Sequence, residues 1–466
     1  MVRRERYRQR PYQTLITQFQ LERPRQNIYA PMGFGKTSST LAALRLEYLI
    51  GLETRPALVM APLRVAQSVW PDEAAKWDDF AGMGVVPIVG TRAERVAALQ
   101  RPAQVYTINY EAIPWLIEHA NIERWHQWPF GHHVADESTR LKGFRTQQGS
   151  KRAQALKLVA ARGASRWTNL TGTPVPNGLQ DIWGQQWFID HGERLGHSYE
   201  AFMNRWFQRD FENHRTVPVS WAQREIQALL ADCSMSLRVE DWFDVGKPIM
   251  VELPCELPPA ARAVYRTMAR EFYAELRAGT IVASNAGVRS EKLFQIAAGA
   301  MYTDPERKHY EALHDAKLEV LASLVSELNG APLLVGIRFR FDRERILRAF
   351  PQARELGSDP QTVRDWNAGA IPMLVMHPAQ GGHGLNLQDG GHHVCMFSHA
   401  WNMEEYEQMV ERVGPVRQFQ AGHPRPVLVY NIVAQHTEDA RAIERRLSKK
   451  SVMDTLLDSL KKGPDY

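Results

Sequence analysis

The residues with the clearest capacity for chemistry lie in the segment APMGFGKTSST, residues 30–40. It follows a strand-like run, NIYA, and precedes a helix-like run, TSSTLAALRLEYLI. A turn between a strand and a helix presents free backbone N–H groups to an anion, and Gly33 and Gly35 let the backbone curl close to it. In such a loop Lys36 reaches the β- and γ-phosphates of a nucleotide, and the hydroxyl of Thr37 holds Mg²⁺. The sequence therefore predicts a phosphate-binding loop, with Ser38 as a further cofactor-binding residue.

Asp136 and Glu137 supply the acidic groups that an ATP hydrolase needs beside such a loop. They end the apolar run in HHVADESTRLKG, later in the same series of strands and helices. A magnesium-holding acid is expected at the end of a strand near the phosphate loop. We expect Asp136 to hold Mg²⁺ through water and Glu137 to polarise the attacking water. ATP and Mg²⁺ are thus the predicted cofactors.

The composition is that of an ordinary globular protein and sets few limits. The chain has 466 residues, of which 44% are hydrophobic and 23% charged. Its net charge of +5 permits a polyanionic partner without requiring one, because 57 basic residues face 52 acidic ones. The cysteines Cys233, Cys255 and Cys395 are far apart, so a disulfide framework is not expected. We find no apolar run of membrane-spanning length and no signal peptide, and we predict a cytoplasmic protein of a bacterial or phage-infected host cell.

The pattern of elements predicts an α/β fold with two parallel sheets. Short continuous apolar runs such as ALVMAP and PLLVGI alternate with helical patterns, which is typical of strands covered on both faces. The predicted domains are residues 1–245, ATP-binding with a helical insertion near 197–235, and residues 246–466, with a helical segment at 258–330. The proline-rich segment at 251–260 is interpreted as a linker or as the start of the second lobe. Trp70, Trp77, Trp183 and Trp187 lie in patterned helices and are predicted to be core residues.

Several segments in order resemble the motifs of superfamily-two helicases, and more closely those of their Swi/Snf-like double-stranded DNA translocase branch. The resemblance extends from about residue 10 to residue 440. Each motif is weak evidence alone, but their order and separations together are specific. The matching segments are RPYQ at 10–13, APMGFGKT at 30–37, VMAPLRVAQSVWPDEAAKW at 59–77, VADESTRLKG at 134–143, LTGTPVPNGLQDIWGQQWFID at 170–190, GGHGLNLQ at 381–388, Trp401-Asn402 and QMVERVGPVRQ at 408–418.

This resemblance implies two RecA-like lobes, with ATP in the cleft between them and nucleic acid across the top. Gln13 would recognise adenine. The family positions for nucleic-acid contact fall on Arg64, Asn109, Tyr110 and Asn386. The arginine-rich segment GIRFRFDRERILR adds two further candidates for contact with the phosphate backbone, Arg338 and Arg340.

The chain departs from the family pattern at three places. Ala30 stands where the general loop pattern has a glycine that only closes the turn. Ser138 and Thr139 replace the last two residues of the family's DExH motif. Of the two arginines in the last motif, which stabilise charge on the transferred phosphoryl group, the first is Arg412. Pro415 occupies the second position and Arg417 follows two residues later, so Arg412 and Arg417 are the catalytic candidates.

Three functions fit these residues. The first is an ATP-dependent motor on duplex DNA, and the second is a strand-separating helicase on DNA or RNA. The third is an ATP-binding regulatory subunit with little turnover, in which Pro415 and the Ser138-Thr139 pair mark lost hydrolysis. We favour the first, acting as a monomer without membrane contact. A recruiting partner, the direction of movement and the pathway are not encoded in any recognisable segment.

Overall fold

The computed structural model describes residues 5–119, 128–147, 151–210, 215–277, 283–357, 359–379 and 385–461. They form two compact units. The described part of unit 1 lies within Met1–Phe243 and Lys449–Tyr466, and that of unit 2 lies between Asp244 and Ser448. The predicted boundary between residues 245 and 246 stays a prediction. The compact units differ from the predicted domains because the segment after Ser448 belongs to unit 1.

Unit 1 is built on a parallel sheet in the order β3-β4-β2-β5-β6-β1-β9. The strands β2, β4 and β6 are mostly apolar or neutral, with Arg166 the charged exception, and they are buried along their whole length, as expected for a sheet with both faces covered. The strands are β1 (Arg25–Tyr29), β2 (Ala57–Ala61), β3 (Val85–Ile88), β4 (Val105–Asn109), β5 (His132–Asp136), β6 (Arg166–Thr171), β7 (Phe207–Asp210), β8 (Arg215–Pro218) and β9 (Ser234–Ser236). The helices are α1 (Pro11–Glu22), α2 (Lys36–Leu49), α3 (Trp70–Lys76), α4 (Arg92–Leu99), α5 (Ile113–His119), α6 (Lys151–Leu158), α7 (Ile182–Asp190), α8 (Tyr199–Trp206) and α9 (Ala222–Leu230).

The segment predicted as a helical insertion near 197–235 contains strands as well as helices. Strands β7 and β8 form an antiparallel pair between α8 and α9. Their residues are mostly polar and only partly buried, so they lack the continuous apolar runs from which strands were predicted. Helix α9 does follow the predicted period, because Ala222, Ile226 and Leu230 recur every four residues and are buried.

Unit 2 has its own parallel sheet, in the order β10-β17-β16-β13-β15-β14. Its strands are β10 (Ile249–Cys255), β11 (Ala300–Tyr302), β12 (Tyr310–Ala312), β13 (Leu333–Gly336), β14 (Ala353–Glu355), β15 (Met373–Met376), β16 (His393–Met396) and β17 (Leu428–Ala434). Its helices are α10 (Pro259–Arg277), α11 (Ala283–Ala298), α12 (Ala316–Glu327), α13 (Arg340–Ala349), α14 (Pro360–Asn367), α15 (Met403–Val410) and α16 (Pro415–Gln420), and α17 (Glu438–Ser459) continues into unit 1. The predicted α/β class with two parallel sheets is confirmed.

The core of unit 2 shows why these strands read as continuous apolar runs. Along β13, Leu333 and Val335 belong to one buried cluster and Leu334 to another. Adjacent strand residues point to opposite faces, so each face needs an apolar side chain at every second position. The proline-rich segment is not wholly a linker, since Ile249–Cys255 is an edge strand. An edge position tolerates Pro254, which has no N–H to donate.

Among the described helices none is long and apolar enough to cross a membrane. The three cysteines are free and buried, and burial raises the pKa of the Cys233 thiol to about 11.

Two adjacent histidines of β5 pack on opposite faces of the first sheet. Nδ1 of His132 lies 2.7 Å from the carboxylate of Glu47 in α2. The ring of His133 is stacked between two indoles, with centroids 5.8 Å from Trp128 and 5.4 Å from Trp167. Burial, followed by the nearby charge of His132, lowers the pKa of His133 to about 3. His133 is therefore a neutral core residue at physiological pH.

We expect acid to destabilise unit 1 through His133. Its pKa of about 3 in the folded protein lies below the ordinary value of 6.5, so below pH 6.5 the unfolded chain binds a proton that the folded one does not. The contribution of His133 to the free energy of unfolding is therefore fully present above pH 6.5. It decreases as the pH falls from 6.5 to 3, by up to about 1.4 kcal/mol per pH unit for one histidine. Urea denaturation followed by tryptophan fluorescence should show a shallower pH dependence in His133→Phe. If the free energy of unfolding of the variant had the same pH dependence as the wild type, the proton taken up on unfolding would belong to another group.

Candidate nucleotide-binding site

The predicted phosphate loop connects β1 to α2 and has the backbone that phosphate binding needs. Gly33 and Gly35 have φ of +83° and +67°, in the left-handed region that side chains rarely adopt. Gly35 is the N-cap of α2, so the first free N–H groups of the helix follow it directly. The ammonium of Lys36 donates to the carbonyl oxygens of Ala30 at 2.6 Å and of Pro31 at 3.1 Å. The lysine thus lies over the loop, with Thr37 half-buried beside it.

Gln13, in α1, packs against the phosphate loop. Its side-chain oxygen accepts a hydrogen bond of 2.8 Å from the backbone of Arg10, which caps the helix. Its amide nitrogen lies 3.5 Å from the hydroxyl of Ser38, and a methyl group added to Gly35 would collide with that amide. The structure therefore brings Gln13, Gly35 and Ser38 together.

Asp136 and Glu137 lie at the same edge of the sheet as the phosphate loop. Asp136 ends β5 and Glu137 follows it. Strand β5 is separated from β1 only by β6, and the carboxyl ends of parallel strands face one edge. Both side chains are nearly buried, at 8% and 7% exposure. Glu137 has a left-handed backbone with φ of 59°, which is uncommon for a residue with a side chain. This conformation turns the chain sharply from β5 into a short 3₁₀ turn, and such strain clusters at functional sites.

Two aromatic residues hold Asp136, and sequence reasoning missed both contacts. The indole N–H of Trp70 donates to Oδ2 of Asp136 at 2.9 Å. The hydroxyl of Tyr110 donates to the backbone oxygen of Asp136 at 3.0 Å. Trp70 was predicted to be a core residue and is fully buried, but nothing in its helical spacing indicates a carboxylate partner.

Ser138 connects the acidic pair to the segment LTGTP, which includes the end of β6 and the turn after it. Its hydroxyl donates to the side-chain oxygen of Gln185 at 2.8 Å. The amide of Gln185 in turn donates to the carbonyl oxygens of Pro174 and Asp181 at 2.7 and 3.0 Å. The backbone N–H of Ala30 also donates to the carbonyl of Thr171 at 3.0 Å. The phosphate loop, the acidic pair and this third segment therefore form one hydrogen-bonded edge.

In unit 2, two of the other candidates, Arg417 and Asn386, are in contact. Arg417 donates to the carbonyl of Leu385 at 2.8 Å and to the side-chain oxygen of Asn386 at 2.6 Å. Pro415 begins α16 at its first position, which is the helix position that proline tolerates best. Arg412 precedes this helix and is completely buried, whereas Arg417 is half-buried. The first part of the segment GGHGLNLQ lies outside the described residues.

The predicted nucleic-acid residues differ in their placement. Arg64 is half-buried, Asn109 donates to Glu111 at 3.1 Å, and Tyr110 is only 1% exposed. In this structure the ring of Tyr110 is thus a core group and not a surface group.

Arg338 and Arg340 are placed differently from each other in unit 2. The guanidinium of Arg338 pairs with Glu291 and donates to the carbonyl of His399 at 2.9 Å. Arg340 is exposed at the start of α13, and Asn386 is exposed as well. Arg340 and Asn386 therefore have the accessibility that a phosphate contact needs.

The residues of unit 1 fit the predicted cofactors. The two left-handed glycines and the start of α2 form a cradle for phosphate groups. Mg²⁺ prefers hard oxygen groups, and the Thr37 hydroxyl, together with the Asp136 carboxylate acting through water, would supply them. The site and the parallel sheet that carries it define a protein of the phosphate-loop α/β class.

Comparisons with known proteins identify the family. The family model for the SNF2-related domain matches residues 28–298, more than half of the chain. The chain is also 49% identical to protein p41 of Acyrthosiphon pisum secondary endosymbiont phage 1, over 97% of this chain and 98% of that protein. The chain belongs to the SNF2-related family, and the resemblance stated from the motifs is confirmed.

More distant relatives are much longer proteins. Protein CHROMATIN REMODELING 5 of Arabidopsis thaliana is 24% identical over 91% of this chain, and the nuclear protein STH1/NPS1 of Saccharomyces cerevisiae is 22% identical over 90%. The chain spans only 25% and 32% of their lengths. A solved structure of the Sulfolobus solfataricus SWI2/SNF2 ATPase core in complex with dsDNA is 18% identical, covers 98% of this chain and 94% of its own, and has a TM-score of 0.43.

We predict that Ser138→Ala separates nucleotide binding from turnover. The variant leaves the oxygen of Gln185 without its buried donor, which costs about 1–3 kcal/mol, and it leaves Lys36 and Thr37 unchanged. We expect nucleotide affinity to stay near the wild-type value while the turnover number falls. Equilibrium binding of a fluorescent nucleotide and steady-state hydrolysis measure the two quantities. If both fell together, Ser138 would be a general structural residue instead.

Proposed function

We propose that this protein is an ATP-dependent motor that moves along duplex DNA. The observation that supports this most directly is the common sheet edge that carries the phosphate loop and the Asp136-Glu137 pair. Membership of the SNF2-related family agrees with it. The name of the Arabidopsis relative refers to chromatin remodelling, which favours duplex DNA over RNA as the track.

Each residue of unit 1 has a defined task in this proposal. The backbone of the loop and the N-terminus of α2 bind the phosphates, and Gln13 contacts the adenine. Lys36 exchanges the carbonyl oxygens of Ala30 and Pro31 for phosphate oxygens, which are stronger partners because they are charged. Magnesium held by Thr37 and Asp136 would supply positive charge at the β- and γ-phosphates. Glu137 orients and polarises the attacking water.

Arg412 and Arg417 are the proposed sources of positive charge from unit 2. Arg417 is the more accessible of the two. Its contacts with Leu385 and Asn386 also tie it to a segment that the resemblance assigns to nucleic-acid contact. If Arg417 both stabilises charge on the phosphoryl group and contacts the DNA-binding segment, it would link DNA binding to hydrolysis.

The decisive experiment compares hydrolysis of ATP without nucleic acid and with single-stranded DNA, duplex DNA or RNA. We expect the strongest stimulation by duplex DNA. Glu137→Gln should retain nucleotide binding and lose about 10²- to 10⁴-fold in turnover, the usual contribution of a general base. Nucleotide binding without hydrolysis under any of these conditions would instead favour a regulatory subunit. Stimulation by RNA or by single strands alone would favour a strand-separating helicase.

We predict that Arg412→Ala and Arg417→Ala each lower duplex-stimulated turnover. Loss of an arginine that stabilises phosphoryl charge costs up to about 10³- to 10⁵-fold in related nucleotidases. Arg425→Ala is the matched control, because its guanidinium also donates to a backbone carbonyl of the neighbouring segment, at Gln388. Wild-type rates in both single variants and in the double variant would remove these arginines from the mechanism.

A further inference from the structure

Asp136 is held by hydrogen bonds from the segments that follow two other strands of the sheet, β2 and β4. In the order β4-β2-β5, Tyr110 directly follows β4 and Trp70 begins the helix after β2. Trp70 reaches the side chain of Asp136 at 2.9 Å and Tyr110 reaches its backbone oxygen at 3.0 Å. Both aromatic side chains are buried, at 0% and 1% exposure. The acidic residue is therefore fixed from both its side chain and its main chain.

The hydrogen-bond partner of the Trp70 indole is a carboxylate. A hydrogen bond to a carboxylate is stronger than one between neutral groups, and its burial away from water strengthens it further. The terminal torsion of an aspartate is intrinsically broad. A donor fixed in the core and directed at Oδ2 therefore restricts how the carboxylate plane of Asp136 can rotate.

We propose that Trp70 and Tyr110 are positioning residues that set Asp136 for magnesium. This inference rests on the proposed function, in which Asp136 holds the ion. Trp70 fixes the plane of the carboxylate. Tyr110 fixes the backbone at the point where β5 changes into the left-handed conformation of Glu137. Hydrogen-bond partners of metal-binding carboxylates commonly contribute about 10- to 100-fold in metal affinity or activity.

The test measures magnesium dependence separately from hydrolysis. Binding of a fluorescent ADP to the full chain is followed while Mg²⁺ is titrated from an EDTA-treated state. We expect Trp70→Phe, which keeps an aromatic ring and removes the N–H, to shift the midpoint of the Mg²⁺ titration upward by about 10- to 100-fold. Its ADP affinity in EDTA should equal that of the wild type, because the phosphate loop is unchanged. Tyr110→Phe should shift the midpoint in the same direction.

Trp206→Phe is the matched control in the same unit. The indole of Trp206 also donates to a carboxylate at 2.9 Å, that of Glu225, and it is 1% exposed. This variant loses the same kind of hydrogen bond away from the phosphate loop, so its Mg²⁺ midpoint should not move. Thermal unfolding of each variant verifies folding, and Tyr110→Phe decides the result if Trp70→Phe does not fold.

The variant Asp136→Asn separates the positioning role of Trp70 and Tyr110 from the magnesium-binding role of Asp136. If Asp136→Asn loses the magnesium effect while Trp70→Phe or Tyr110→Phe retains the wild-type midpoint, the positioning role is overturned and the proposed function stands. If Asp136→Asn itself retains the magnesium effect, both the positioning role and the assignment of Asp136 fail. An equal shift in Trp206→Phe would also overturn the proposal, because the effect would then be a general loss of stability.

Discussion

The carboxyl ends of parallel strands meet at one edge of a sheet, and the candidate chemistry of unit 1 depends on that constraint. The phosphate loop follows β1, the acidic pair stands at the end of β5, and the segment after β6 lies between them. The hydrogen bond from Ala30 to Thr171 continues the strand ladder into the loop itself. Because the strands fix these three turns side by side, residues more than a hundred positions apart form one site without any cross-link.

This edge also explains why several residues are locally strained or unusually buried. Glu137 adopts a left-handed backbone, and it is retained because the surrounding contacts over-determine it. Trp70 and Tyr110 hold the preceding residue, and Ser138 is tied to Gln185. A site fixed in this way needs little rearrangement of the acidic pair, and electrostatic stabilisation of charge gains most from groups that are already in place.

Much of the fold could be predicted from local pattern, and the exceptions have physical causes. Continuous apolar runs in the sequence predict buried parallel strands, so both sheets were expected. The strands β7 and β8 were missed because they are polar and partly exposed, and β10 was obscured by Pro254, which an edge strand tolerates. Tyr110 was assigned to nucleic acid by its position in a motif, yet its ring is buried, because a motif gives a position in the chain and not the direction of a side chain.

The sequence by itself determined the fold class, the phosphate loop and the acidic pair, because glycine spacing, an adjacent lysine and strand-end acids are local requirements of the chemistry. The family followed from the order of several such segments. Only the tertiary structure showed that Trp70 donates to Asp136, that Gln185 joins Ser138 to Pro174, and that Arg417 lies against Asn386. These contacts join residues from different elements, and no local pattern specifies which side chains will meet once helices and strands have packed.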